Sequence, residues 1–163
     1  MGYGAIRIPF SRIARRLGNT AFRTFLLYPV IVVSAELLLN DGTLRLQPWF
    51  LPLVLWGYLQ YRLIRTYRLQ LGGGGPGMGT PPESIVTTGP YAWCRNPMYL
   101  GHIIFLFGLT LSLQSVLAAL LTVATAVWFQ LRVQRDEKGL SERFGQPYVD
   151  YTKRVKRWIP GLF

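Results

Sequence analysis

The sequence predicts an all-α integral membrane protein of about four transmembrane helices, the last two a short helical hairpin, with a cytoplasmic C-terminal helical tail. Three observations carry this. From Asn96 to Leu131 the chain runs thirty-six residues without one Asp, Glu, Lys or Arg. Half of its 163 residues are apolar, and the mean hydropathy is positive. The formal charge of +11 is concentrated beside the apolar runs. Charge so placed reads as juxtamembrane rather than nucleic-acid-binding, so no nucleic acid is expected as partner. The whole chain, 1–163, reads as one membrane-embedded domain.

Residues 1–20 suggest an interfacial amphipathic segment. Phe10, Ile13, Ala14 and Leu17 recur at helical spacing, while Arg12, Arg15 and Arg16 take the other face. Such a stripe suits an anionic membrane surface, and equally an ordinary basic flank of the first span. That span covers about Phe22 to Leu39. Its carboxylate, Glu36, is close enough to Asn40 and Asp41 to reach the interface there. The second span runs from Pro48 to about Tyr61 and extends as a helix carrying Arg62, Arg65 and Arg68. The stems of such arginines can lie on apolar surface while their heads stay wet.

Residues 69–97 read as a cytoplasmic loop. Within it Gly72-Gly73-Gly74-Gly75-Pro76-Gly77 denies a helix or strand interior, because glycine costs backbone entropy and proline removes a donor. The run lacks the strand-to-helix setting of a phosphate-binding loop. Next comes the charge-free stretch. As one helix it would be roughly 54 Å long against a hydrocarbon layer of about 30 Å. It is read instead as Met98 to Leu113 and Ser115 to Leu131, turning near Gln114. Residues 132–163 then form the basic tail, broken at Gly145-Gln146-Pro147.

Charge asymmetry gives orientation. Arg7, Arg12, Arg15, Arg16 and Arg23 stand at or before the start of the first span, and three arginines follow the second. Eight basic residues follow the fourth, whereas the first-to-second loop holds only Arg45. A multi-pass chain with both termini cytoplasmic satisfies this pattern. The loop, Arg95 and the tail then share one face, where a site would assemble.

Two clusters could carry chemistry. The first is Gly89-Pro90-Tyr91-Ala92-Trp93-Cys94-Arg95-Asn96-Pro97-Met98-Tyr99-Leu100-Gly101. The second is Asp136-Glu137, then Leu140, Phe144-Gly145, Tyr148, Tyr151 and Val155. In order, and separated by a membrane hairpin, they resemble the isoprenylcysteine carboxyl methyltransferase and phospholipid methyltransferase group of integral membrane enzymes. That group shows G-x-Y-x-x-x-R-H-P-x-Y-x-G before the hairpin and an acidic pair, then F-G-x-x-Y-x-x-Y-x-x-x-V, after it. Here Asn96 replaces the usual His, and Asp136 the first Glu. Asn96 cannot titrate near neutral pH, which removes a general base there but not a binding role.

The resemblance implies S-adenosylmethionine as cofactor and a lipophilic acceptor: a prenylcysteine-like or isoprenoid carboxylate, a phospholipid amine or a small thiol. It implies cofactor-binding roles for Gly89, Tyr91, Arg95, Asn96, Pro97, Tyr99, Gly101, Asp136, Glu137 and Tyr148. Glu137 suits ribose hydroxyls or a cationic amino group, and Arg95 a carboxylate. Tyr91 and Tyr99 offer rings to a cation, and Gly101 allows close backbone approach. Arg95, Glu137 and Arg132 are the expected catalytic residues. Arg132 or Arg135 would partner an acceptor carboxylate. His102 is expected to be a hydrogen-bonded packing residue, and one His with one Cys leaves no ordinary zinc ligand set. Membrane lipids are expected neighbours, and four short spans are compatible with a homo-oligomer. Two other readings stay open: a membrane reductase of the sterol-reductase type using NADPH, and a non-enzymatic adaptor with a lipid-binding basic face.

Overall fold

Asn19 opens the first helix. Its side-chain Oδ1 accepts from the amides of Ala21 at 3.0 Å and Phe22 at 3.5 Å, satisfying donors that a helix start leaves bare. The computed structural model describes residues 19–73 and 82–159. The segment expected at a membrane surface before Asn19, and most of the glycine-rich run, lie outside them. Every regular element among the described residues is helical.

Helix α1 covers Thr20–Leu39. It contains one wide turn, Arg23–Leu27, closed by the Tyr28 amide bonding to the Arg23 carbonyl. Pro29 follows immediately. Proline lacks an N–H and crowds the carbonyl four residues back, and a wider turn is one way a helix accommodates it. At the far end Asn40 donates to the Glu36 side chain at 3.0 Å and its carbonyl at 2.8 Å. Glu36 is therefore engaged locally at the helix end.

A turn at Pro48–Phe50 leads into α2, Leu51–Gly72. The expected second span and its arginine extension form this one helix. Helix α3 covers Pro97–Leu113, with Pro97 at its first turn. Gln114 adopts left-handed φ of 48°, and the Ser115 side chain caps α4, Val116–Phe144. The hairpin turn thus falls where the sequence placed it.

The apolar stretch ends near Leu131, but the helix does not. Helix α4 continues for 29 residues, roughly 43 Å at 1.5 Å per residue. No proline interrupts Arg132 to Phe144, and Arg132–Asp136 pair at 3.6 Å one turn apart. Gly145, at φ 60°, ends the helix, and Pro147 starts α5, Gln146–Arg154.

Among the described residues, two helices, α1 and α4, are long and apolar enough to cross a membrane; α3 is apolar but shorter. Only 11% and 22% of the apolar stretches of α1 and α4 are buried. The core helix of a soluble protein would show the opposite. Leu38, Leu120, Val123 and Val127 are exposed on them.

Helices α2 and α3 run antiparallel at close range. A Cβ on Gly57 would come within 2.7 Å of the Gly101 carbonyl oxygen, and one on Gly108 within 2.7 Å of the Val54 nitrogen. Small residues let helix backbones approach where apolar burial gives little drive, as in a bilayer. Helix α4 joins through Thr110–Thr122 hydroxyls at 3.1 Å, and α1 through Val32 against Leu109, Leu113 and Ala118. His102 is fully buried, bonded through Nδ1 to the Met98 carbonyl at 2.9 Å. The rings of Phe25, Tyr61 and Phe129 surround it.

This seam generates a contrast between two glycines. Gly57→Ala must push backbone against backbone and is expected to cost about 1–3 kcal/mol. Gly139→Ala, where nothing lies within 4 Å, should be neutral or stabilise by up to about 1 kcal/mol. Thermal melts in one detergent check both; equal melting temperatures would mean the seam tolerates an added methyl.

Candidate active site

Glu137 sits in the outer half of α4, beyond the apolar stretch. Its carboxylate receives two guanidinium groups. Arg157 donates to it through Nε at 3.2 Å to each oxygen and through Nη2 at 2.7 Å. Arg95 Nη2 lies 3.0 Å from Oε1 of the same group. The Glu137 side chain is 13% exposed and that of Arg95 10%. At such depth a charge needs partners, and forked guanidinium bonding supplies both charge and direction.

Arg95 reaches this position because its backbone is held on the C-terminal segment. Its amide donates to the Lys156 carbonyl at 2.9 Å, and Nη1 donates to the Thr152 carbonyl at 2.9 Å. Cys94 Sγ and Asn96 Nδ2 both donate to the Arg157 carbonyl at 3.3 Å. Tyr151 donates its hydroxyl to the Tyr91 carbonyl at 2.7 Å. Trp158 closes the end of the segment, donating to Gln130 of α4 at 2.7 Å.

A second polar group lies beside the first. Tyr99, in the first turn of α3, donates to Asp136 at 2.7 Å and accepts from Arg132 Nε at 3.3 Å. The Arg132 guanidinium also lies 5.5 Å from the Trp128 ring centre, within cation–π range. No described hydrogen bond uses its Nη atoms.

Both groups border one chamber of about 360 Å3, between the segment around residues 82–99, the outer turns of α4 and helix α5. Small-molecule sites usually occupy roughly 300–1,000 Å3. Of the residues singled out in the sequence, Tyr91, Arg95, Asn96, Tyr99, Arg132, Arg135, Asp136, Glu137 and Tyr148 line it. Three others are placed elsewhere. Gly101 faces α2, where a Cβ would meet Gly57 oxygen and Tyr61 nitrogen at 3.0 Å. Gly89 turns the chain at φ 57° against the Tyr67 ring. Pro97 is buried at the start of α3, its carbonyl accepting from Gln60 at 3.1 Å.

Sequence reading passed over Arg157, Arg143, Ile85 and Val86. Arg157 reaches Glu137 only after the chain has reversed at Gly145 and run through α5. Spacing carries no signal for such a return.

Charge in the chamber is unbalanced. Among the described residues, the lining carries Arg68, Arg95, Arg132, Arg135 and Arg143 against the carboxylates of Asp136 and Glu137. Burial pushes Tyr91 up to about 12. Burial, reinforced by Glu137, does the same for Tyr148. These hydroxyls therefore stay protonated at neutral pH and are available to donate. Burial also raises Cys94, so its thiol is a poor nucleophile. Arg95 Nε is buried without a partner among the described residues. An N–H left so is costly, and it invites an acceptor.

Glu137→Gln would leave two partly buried guanidiniums facing a neutral amide. A stability loss of about 2 kcal/mol is expected, reduced from the fully buried case because Arg157 is partly solvated. Glu142 is exposed and lies 4.0 Å from Lys138, so Glu142→Gln should change stability by less than about 0.5 kcal/mol. Matching melts for the two variants would remove the clamp from the account.

The family model for phospholipid methyltransferase matches residues 53–147. This range takes in all but the first two residues of α2, the segment carrying Arg95, the hairpin and the whole of α4. Among curated proteins, protein-S-isoprenylcysteine O-methyltransferase of Mus musculus is 37% identical over 80 residues, covering 48% of this chain and 28% of that protein. The corresponding B protein of Arabidopsis thaliana is 35% identical over 80 residues, 48% of this chain and 40% of that protein. Nickel-cobalt-cadmium resistance protein NccN of Alcaligenes xylosoxydans xylosoxydans is 33% identical over 85 residues, 52% of this chain and 39% of that protein. The matched stretch thus spans between 28% and 40% of the length of these relatives. With more than half of its residues inside the family match, and both polar clusters brought to one chamber, the chain belongs to the phospholipid methyltransferase family.

Proposed function

We propose that this protein transfers a methyl group from S-adenosylmethionine to a lipophilic carboxylate at the cytoplasmic face of a membrane. The observation that carries this reading is the chamber, where the Arg95 segment and the Asp136-Glu137 pair meet under a surplus of arginine. Family membership and the name of the O-methyltransferase relatives support the reaction class. The domain is read as a single methyltransferase unit over residues 1–163, with four spans and both termini cytoplasmic.

The residues present fit the cofactor. The unpartnered Arg95 Nε has an N–H for the cofactor's carboxylate, although the two Nη groups are already committed to Glu137 and Thr152. Asp136 suits a cationic amino group, and Glu137 keeps lone pairs for a ribose hydroxyl. Tyr91, Tyr99 and Tyr148 supply ring faces and neutral hydroxyls, and Asn96 an amide. When bound, S-adenosylmethionine supplies an electrophilic methyl on a sulfonium, so little remains for the protein beyond alignment and exclusion of water.

The positive surplus favours an anionic acceptor over an amine. A carboxylate is ionised at neutral pH and needs no base. Arg132, braced by Tyr99, Asp136 and Trp128, would hold one carboxylate oxygen while the other attacks. The bound cofactor would supply the methyl to that oxygen and leave as its neutral thioether, and the neutral ester would lose its hold on Arg132 and return to the bilayer. An amine would have to lose a proton, and the two chamber carboxylates are already paired with arginines.

Incubation of the purified protein with labelled S-adenosylmethionine and either a prenylated thioether carboxylate or a phospholipid amine tests this. Label is expected in a base-labile ester of the carboxylate. Arg132→Gln should slow transfer by about 100-fold while cofactor affinity moves far less. Glu137→Gln should weaken cofactor binding by roughly 10- to 150-fold, and Glu142→Gln should not. Label in the amine lipid would refute the carboxylate acceptor, and absence of cofactor binding would refute the reaction.

Topology has its own test. Single cysteines replacing Thr43 and Lys156 are expected on opposite sides, with Lys156→Cys shielded from an impermeant reagent applied outside intact cells. Labelling of both from one side contradicts the four-span arrangement.

A further inference from the structure

A second cavity, of about 220 Å3, lies between α1 and α4 and is lined by Arg23, Thr24, Tyr28, Leu121, Thr125 and Trp128 among others. None of these residues lines the chamber around Glu137. The wide turn Arg23–Leu27 belongs to this cavity. It brings Arg23, Thr24 and Tyr28, one wide turn apart, to the same groove. Single wide turns inside α-helices often mark functional positions.

Two polar groups in this groove are left without partners. Thr24 is 1% exposed, and its hydroxyl bonds to nothing among the described residues. Arg23 Nε is buried and equally unpartnered. The Arg23 guanidinium lies 5.0 Å from the Trp128 ring centre, so its plane is held by stacking rather than by a carboxylate. All seven Asp and Glu of the chain fall within the described residues, and none forms an ion pair with Arg23. A cation and a hydroxyl fixed at the wall of a cavity, both lacking an acceptor, are complementary to an anionic oxygen.

The surroundings decide the source of that anion. On α4 next to the groove, Leu120 and Val123 are each 63% exposed and Val127 55%, an apolar surface suited to acyl chains. The volume admits a headgroup and the first carbons of a chain, not a whole lipid. Arg23 stands near the start of the apolar helix, and Trp128 near the end of the apolar stretch of α4, the depth at which headgroups and indole rings meet. We infer that this groove is a binding site for the anionic headgroup of a bilayer lipid, held by Arg23 and Thr24 over Trp128. The site goes beyond the methyl-transfer reading and does not depend on it.

The intact protein in phosphatidylcholine nanodiscs provides the test, with brominated phosphatidate as probe and brominated phosphatidylcholine as reference. Tryptophan quenching by phosphatidate is expected to saturate at low mole fraction in the unaltered protein. Arg23→Gln should weaken the apparent affinity roughly tenfold, and Thr24→Val about threefold. Arg62→Gln, which removes an exposed charge elsewhere, should leave it unchanged. Equal titrations for the unaltered protein and a normally melting Arg23→Gln would overturn the site. Should Arg23→Gln fail to fold, Thr24→Val decides, and an unchanged affinity there overturns it. Competition by excess inorganic phosphate would assign the groove to a free anion and overturn the lipid. Cofactor binding measured in the same nanodiscs separates the two readings: phosphatidate binding without cofactor binding supports this site while refuting methyl transfer.

Discussion

Glu137 joins parts of the chain that local sequence leaves separate. Its carboxylate takes Arg95 from the segment before α3 and Arg157 from the segment after α5. Without it, the guanidiniums of Arg95 and Arg157 would converge on one place with no carboxylate between them. Burying a carboxylate is favourable only when its partners are close and well directed, and here two guanidiniums lie within 3.2 Å of it. The cost of that arrangement is specific to one geometry, so the clamp selects the position of Arg95, Asn96 and the start of α3 together.

The clamp works because α4 is rigid through the membrane boundary. One uninterrupted helix carries Thr122 against α3, Phe129 and Val133 against Tyr99, and Glu137 beyond the apolar zone. The glycine seam between α2 and α3 sets the other wall. Close backbone approach at Gly57, Gly101 and Gly108 fixes where Tyr99 emerges, and Tyr99 in turn is bonded to Asp136. Packing in the bilayer and polar bonding at its surface are therefore mechanically continuous.

Trp128 occupies the junction between two arginines. Arg23 lies on one side at 5.0 Å and Arg132 on another at 5.5 Å. A single indole thus steadies the cation of the groove and a cation of the chamber. Guanidinium stacking suits this depth, since it orients a charge without neutralising it. The positive character of both cavities is preserved for ligands.

Much of the helical order was legible locally. Thirty-six uncharged residues exceed one bilayer crossing, so a hairpin was required, and Gln114-Ser115 offered the polar turn. Gly145 and Pro147 announced a helix end and a helix start. The two motif clusters named most of the chamber wall, because aromatic, arginine and acidic residues beside a membrane are seldom placed for solubility alone. What the sequence could not decide was direction. Gly101 sits in a motif yet turns toward α2, since the face a helical glycine presents depends on where its neighbour helix lies. Hydropathy marks the end of the apolar stretch near Leu131, while helical hydrogen bonding runs on through it to Phe144. Arg157 and Arg23 look like any other basic residues in the chain. Composition and spacing pointed to a helical membrane protein, and the resemblance carried by two clusters pointed to Arg95 and Glu137. Only the tertiary structure decided which arginine meets that carboxylate and which meets none, because charge pairing at low dielectric depends on distances set by packing across the whole chain.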